Sequence, residues 1–248
     1  NDPIVVQYGR YIRDALTGDL GTSIRSGQPV LSEIMARFPS TLILTTTAII
    51  AASVVGISLG IAAAITKKGI VDAGIMLFAL LGISMPAFWS GILLILFFGL
   101  KLGWLPIAGT GPKALILPTI ALAAPAAAVL ARMTRSSMLE VIGQDFVRTA
   151  RAKGVSERIV VIRHVFRSAL VPVITIIGLQ FGGLLGGAVI IESVFSRPGL
   201  GRYTITAIES RDFPQIQGIV LFTAAIYVFV NLAVDLLYAV IDPRVRYR

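Results

Sequence analysis

Five stretches without a single charged side chain dominate this 248-residue chain: Phe38–Thr66, Ala73–Leu100, Ala114–Ala131, Ser168–Ile191 and Phe213–Val234. A membrane-crossing helix needs about 20 apolar residues, within a range of about 17 to 25, and all five stretches reach that range. In lipid every backbone amide must find its partner within the segment, so an apolar run of this length has to be a helix. The rest of the composition agrees. Hydrophobic residues make up 56% of the chain, charged residues 14%, and the mean hydropathy is +0.86. A soluble domain carries about 25% charge, so too little polar surface exists here to face water on all sides. The expected fold is an all-α polytopic transmembrane helix bundle. It forms one domain over residues 1–248, with spans near 38–66, 73–100, 114–131, 168–191 and 213–240.

The net charge is +9. In a soluble chain that excess would suggest nucleic acid, but in an apolar one Lys and Arg mark the flanks of spans and set their orientation. No nucleic-acid partner is therefore expected. Residues 67–72, 132–168 and 242–248 share one side of the membrane and hold 13 Lys and Arg in 50 residues. The opposite side holds 9 in 68 residues, with Arg197, Arg202 and Arg211 among them. The denser side is read as cytoplasmic, which puts the N-terminus outside and the C-terminus inside. An external start at Asn1 without a signal peptide implies an earlier span upstream.

Most familiar chemistries are excluded by residue counts. There is no Cys and one His, so thiolate catalysis, Cys metal sites and paired-His motifs drop out. A phosphate-binding P-loop needs Gly directly before its Lys. The five lysines, at 67, 68, 101, 113 and 153, follow Thr, Lys, Leu, Pro and Ala. Gly56-Ile57-Ser58-Leu59-Gly60 formally matches a nucleophile elbow, which requires a strand–turn–helix setting; inside a 29-residue apolar run its small residues read as packing. An intramembrane serine hydrolase using Ser58 and His164 is thus a weak alternative. His164, next to Arg163, reads as a solvated or interfacial side chain.

Within the spans, Gly178, Gly182 and Gly186 form a smooth stripe that lets backbones approach closely. The stripe serves helix packing or lines a pathway. Ionisable groups inside a membrane usually mark function, and Glu192 and Asp235 are the two candidates, each near the end of its span. Asn231 and Asp235 share a helix face. They join the glycines as candidate pathway-lining residues, although an ion-coupled carrier would need more convergent polar groups than these.

Residues 132–168 carry the most information. Gln144 to Lys153 contains no helix breaker, and Gly154 suits the left-handed residue that stops a helix. Ser156 is placed to cap a second helix, with Glu157 in its first turn. Small residues at Thr149, Ala150 and Ala152, beside Arg148, Arg151 and Lys153, would let a short helix seat in a partner's groove while its cations meet acidic rims.

Arg148-Thr149-Ala150-Arg151-Ala152-Lys153-Gly154 resembles the cytoplasmic coupling loop of ATP-binding-cassette importer permeases, in the form found in the dipeptide/oligopeptide/nickel branch. The general motif runs Glu-Ala-Ala, three residues, Gly. Arg148 and Thr149 replace the Glu and the first Ala, Ala150 and Gly154 match, and the usual following Leu-Pro is displaced to Leu170-Val171-Pro172. Further blocks are similar in order: Gly18-Asp19-Leu20-Gly21, Arg37-Phe38-Pro39-Ser40-Thr41-Leu42, Gly103-Trp104-Leu105-Pro106, the Glu192–Arg202 segment, Arg211-Asp212-Phe213-Pro214 and Asp242-Pro243-Arg244. The whole chain resembles a B-type permease subunit, in which six spans are expected.

That resemblance implies an ATP-driven importer in the prokaryotic inner membrane, with short peptides (dipeptides or oligopeptides) as cargo and nickel chelates or glutathione as alternatives. It implies a second permease subunit, two cytoplasmic ATPase subunits and an external substrate-binding protein as partners, besides the lipid bilayer. Arg148 to Ser156, with Val155 among them, would form the ATPase-coupling loop. ATP and Mg would reside in the partner ATPases, with no cofactor and no catalytic residue in this chain.

Overall fold

The computed structural model describes residues 3–66 and 69–241. Ten α-helices account for most of them, and the described residues pair as β-structure solely at the isolated bridge between Thr22 and Pro29. In chain order they are α1 (Ile4–Leu16), α2 (Val30–Ile65), α3 (Ile70–Ser84), α4 (Ala87–Leu94), α5 (Pro112–Ile142), α6 (Asp145–Ala152), α7 (Glu157–Ile159), α8 (Arg167–Val194), α9 (Leu200–Glu209) and α10 (Phe213–Ile241). Wider π-helical turns extend α4 through Ile95–Lys101 and join α7 to α8 through Val160–Phe166. Residues 157–194 therefore form one continuous rod.

Four helical rods among the described residues are long and apolar enough to cross a membrane, and the pair α3–α4 supplies a fifth crossing if its bent halves count as one. The bend is 101°. Its cause lies at Met85-Pro86: proline's ring excludes the preceding residue from helical geometry, and Met85 is extended at φ −87°, ψ 123°. The segment expected to span over 73–100 is thus two halves set at an angle. At 1.5 Å per residue, the 15 residues of α3 reach about 22 Å, short of the roughly 30 Å hydrocarbon core.

The outer limits of the spans also differ from the charge-free runs. Helix α5 continues eleven residues past Ala131, so the loop expected over 132–168 contracts to a short turn, α6 and a second short turn. Charge did not end the helix because Thr134, Ser137 and Met138 are buried and hold it to its neighbours. Arg135, expected in the loop, donates through Nε and Nη2 to both carboxylate oxygens of Asp72 at 2.6 Å.

Helix α5 is the centre of the bundle. Its most apolar window is 61% buried, against 11% for α10, which leaves α10 at the lipid-facing margin. Ala121, Ala123, Ala126, Ala127 and Ala131 make α5 thin, and α2 meets it through glycine. A Cβ on Gly56 would lie 2.5 Å from the Ala127 carbonyl oxygen, and one on Gly60 would lie 2.5 Å from Thr134 Cβ. The formal nucleophile elbow is thus a small-xxx-small contact. Ser58 sits in unbroken helix.

Three apolar clusters stack along the bundle. Leu44, Ala52, Leu117, Leu130 and Ile191 belong to the middle one. Ala64, Met138, Val147, Val160 and Val165 close one end. Leu20, Val30, Ile34, Leu200 and Tyr203 close the other. Helix α2, about 54 Å long at 1.5 Å per residue, reaches from one end cluster to the other.

Candidate functional site

The segment singled out by sequence folds as a tight elbow. Gln144 is extended and α6 starts behind it, with Asp145 in the first turn, where the helix dipole favours an anion. The exit is a paired turn: the Gly154 N–H donates to the Arg151 carbonyl at 3.0 Å and the Val155 N–H to the Ala150 carbonyl at 3.3 Å. Gly154 stands at φ +77°, the left-handed conformation this stop requires. Ser156 takes the position before α7, but its side chain makes no capping bond. Its carbonyl instead accepts from Ile159 and Val160, which corrects the expected hydroxyl cap.

The elbow is anchored from within. Val147 and Ala150 are buried among Ala64, Met138, Val141, Val160, Val161 and Val165. Ala150 is consequently turned toward the chain's own helices, while Arg148, Thr149, Ala152, Lys153, Gly154 and Ser156 are exposed and Arg151 and Val155 half-buried. Arg151 is engaged as well. Its Nε lies 3.0 Å from Glu157 Oε2 and its Nη2 2.7 Å from Oε1, a bidentate clasp across the turn, and donating these hydrogen bonds to Glu157 raises its pKa further. The expectation that all three cations of the motif reach outward is corrected at this residue. Phe146, which sequence reasoning passed over, is 42% exposed. It stands with Thr149 and Lys153 at i, i+3 and i+7, a spacing that could have flagged the outer face of α6. His164 is half-buried in the π-helical turn.

At the opposite end, Glu192 is completely buried. Its Oε1 accepts from the Thr41 hydroxyl at 2.6 Å and its Oε2 from the Gly201 N–H at 2.7 Å, while Thr41 Oγ1 accepts from the Leu200 N–H at 2.8 Å. A carboxylate on α8 and a hydroxyl on α2 thereby satisfy the free amides that begin α9. The space admits no side chain at Gly201, whose Cβ would lie 2.2 Å from Val189 Cα. Arg197 is 3% exposed; burial pushes its pKa down and the nearby Glu192 pulls it part of the way back.

The glycine stripe divides. A Cβ on Gly178 would meet Val234 at 2.2 Å, and one on Gly182 would meet Tyr227 at 2.8 Å. These two are contact positions between α8 and α10, the packing role of the stripe. Gly186 has open space around it and is exposed. Asn231 Oδ1 is buried with no hydrogen-bond partner among the described residues, and the Gly182 Cβ position lies 3.6 Å from it. Asp235 lies on α10, and its side chain is outside the described residues, as is the Asp242-Pro243-Arg244 block. Among the described residues no cluster of three or more His, Asp or Glu could hold a metal.

Comparisons with known proteins place this architecture. Residues 56–247 match the family described as binding-protein-dependent transport system inner membrane component. The glutathione transport system permease protein GsiC of Salmonella paratyphi A is 48% identical over 249 residues, covering 100% of this chain and 81% of that protein. The dipeptide transport system permease protein DppB of Alkalihalophilus pseudofirmus is 44% identical over 276 residues, covering 100% and 83%. Among solved structures, an inward-facing conformation of the MetNI methionine ABC transporter matches with TM-score 0.73 at 18% identity, over 84% of this chain and 96% of that one. An amino acid ABC transporter matches with TM-score 0.60 at 20% identity, over 86% and 94%. Those two likenesses establish the fold. The chain belongs to the binding-protein-dependent inner membrane components: it is a bacterial inner-membrane permease subunit of an ATP-driven importer, a transport subunit and not an enzyme, and it works with ATPase and substrate-binding proteins.

Proposed function

We propose that this permease imports short peptides, dipeptides or oligopeptides, and that the elbow over residues 144–156 receives the stroke of an ATPase. The full importer on this reading contains a second permease subunit, two ATPase subunits that hold ATP and Mg, and an external binding protein that selects cargo. The end bearing α6 lies in the cytoplasm. Relatives named for dipeptides and for glutathione support cargo of this size with peptide amides and carboxylates. Glutathione is the second reading, favoured by the 48% identical relative.

The observation that carries the coupling role is the construction of the elbow. A helix of eight residues has no stability of its own in water, yet here it is pinned inside by Val147, stopped by Gly154 and clasped to the next rod by Arg151–Glu157. A push on its outer face, where Phe146, Thr149 and Lys153 stand, is transmitted to α5 and to the 157–194 rod.

The test uses the absence of native cysteine. Thr149→Cys should cross-link to a cysteine in the ATPase groove of the assembled importer. Gly154→Pro, which forces φ to about −65° where +77° is needed, should abolish uptake while insertion survives. Full uptake in Gly154→Pro, together with no cross-link from Thr149→Cys, would overturn the coupling role. Cargo is decided separately by which of a dipeptide, glutathione or a nickel chelate the co-purified binding protein retains.

A further inference from the structure

Three arginines line one cavity at the end of the bundle opposite the elbow. The cavity holds about 440 Å³, and Arg25, Arg37, Arg202, Glu33, Tyr203 and Gln215 line it. Its walls come from the 22–29 segment, the first turns of α2 and helix α9. Its acidic groups are already engaged. Glu33 accepts from the Tyr203 hydroxyl and, at 2.9 Å, from Gln215 Nε2. Asp212 is 1% exposed behind the wall, where it takes hydrogen bonds from the Ser23 hydroxyl at 2.6 Å and the Arg25 N–H at 3.1 Å.

Two of the cations are held in place. The Arg37 guanidinium lies 4.1 Å over the Tyr203 ring and donates to the Glu33 carbonyl at 2.8 Å. Arg202 donates through Nη1 to the Ser196 carbonyl at 2.9 Å. Arg25 and Arg202 are exposed at the rim. Three arginines against the one carboxylate in the lining leave a net positive cavity on the side that the positive-inside bias should keep poor in Lys and Arg. Retaining them there points to an anion that arrives from outside.

We propose that this cavity is a docking socket for an acidic side chain, Asp or Glu, presented by the external binding protein. The proposal rests on the orientation given above, with α6 in the cytoplasm, and on the family's dependence on a binding protein. Arginine suits the role because its planar fork grips a carboxylate with two parallel bonds. Exposed charges at the rim also draw an oppositely charged partner and fix its register.

The experiment uses the complete importer in proteoliposomes, with ATPase activity titrated by cargo-loaded binding protein. In Arg25→Gln and in Arg25→Gln/Arg202→Gln, the half-saturating concentration of binding protein should rise, by about tenfold or more in the double variant, with maximal turnover kept. The gap should narrow as salt is raised from about 50 to about 500 mM. Arg25→Lys should keep most of the affinity. Lysine in place of the matching acid on the binding protein should rescue Arg202→Glu.

An unchanged half-saturation in the double variant, in complexes that assemble normally, overturns the proposal. So does a shift seen with a free-carboxylate cargo and lost with its amide, because the anion would then be the cargo. Ser26→Cys in intact cells separates failure of the orientation: labelling by a membrane-impermeant thiol reagent supports the external placement, and labelling after permeabilisation alone overturns placement and socket together.

Discussion

Arg151 holds Glu157 through two hydrogen bonds, at 3.0 and 2.7 Å, across the turn that Gly154 makes between α6 and α7. Glu157 is 60% exposed, so water screens the pair and its stabilisation of the fold is about 1 kcal/mol or less. Its consequence is geometric, since it fixes the angle between the coupling helix and the rod behind it. Arg151→Ala should therefore change thermal stability by no more than a few degrees and lower uptake several-fold with ATP hydrolysis retained. The swap of Arg151→Glu with Glu157→Arg should restore uptake. Equal loss of uptake in the swap and in the single variant would count against the clasp.

Gly154 offers a graded probe. A non-glycine residue in the left-handed region costs about 1–2 kcal/mol, and Asn tolerates it better than most. Nothing lies within 4 Å of the missing Cβ, so strain is the whole effect. Uptake should fall in the order Gly, Asn, Ala, Val, with insertion unchanged throughout. An Ala variant as active as Asn would show that the turn relaxes without cost.

The contact between α2 and α5 should be a sensitive packing position. Gly60→Val forces methyl groups against Thr134 and the Ala131 carbonyl, both already within 2.7 Å of the added Cβ. Overpacking of this kind costs about 1–3 kcal/mol or more. Gly183→Ala, with nothing within 4 Å, should be neutral. Thermal size-exclusion profiles of the two variants in detergent should separate clearly, and matching profiles would refute the close contact.

Asp212 gives a pH prediction. Burial acts to raise its pKa, but hydrogen bonds from the Ser23 hydroxyl and the N–H groups of Arg25, Gln215 and Ile24 outweigh it and hold the carboxyl below its usual range. A lowered native pKa contributes stability above the unfolded value, about 3.9 for Asp, and loses it as pH falls through the native one. Asp212→Asn should therefore loosen the 22–29 segment at pH 7, seen as faster proteolysis there. The difference from wild type should start to fade below about pH 4. A difference that persisted undiminished at pH 2 would place the effect elsewhere.

Much of this protein was written in the linear chain, because lipid enforces a simple code. Charge-free runs of 18 or more residues must be helices there, and five of them were enough to state an all-α bundle before any coordinate. The elbow was equally local: no breaker from Gln144 to Lys153, then a glycine where the helix must stop, and the fold put Gly154 at φ +77°. What depends on residues distant in sequence could not be read. Charge could not mark the end of α5, since Arg135 is held by Asp72, 63 positions away. Local spacing offered a smooth glycine stripe on α8, yet close approaches also fall at Gly56 and Gly60 on α2, because α5 is their neighbour. Glu192 looked like a span-end acid, and Thr41, 151 residues earlier, makes it the anchor of α9. Composition and periodicity determine which segments are helical, because each segment must satisfy its own backbone. Tertiary packing decided which faces meet and which charges are left free, because those depend on partners that the order of residues does not bring together.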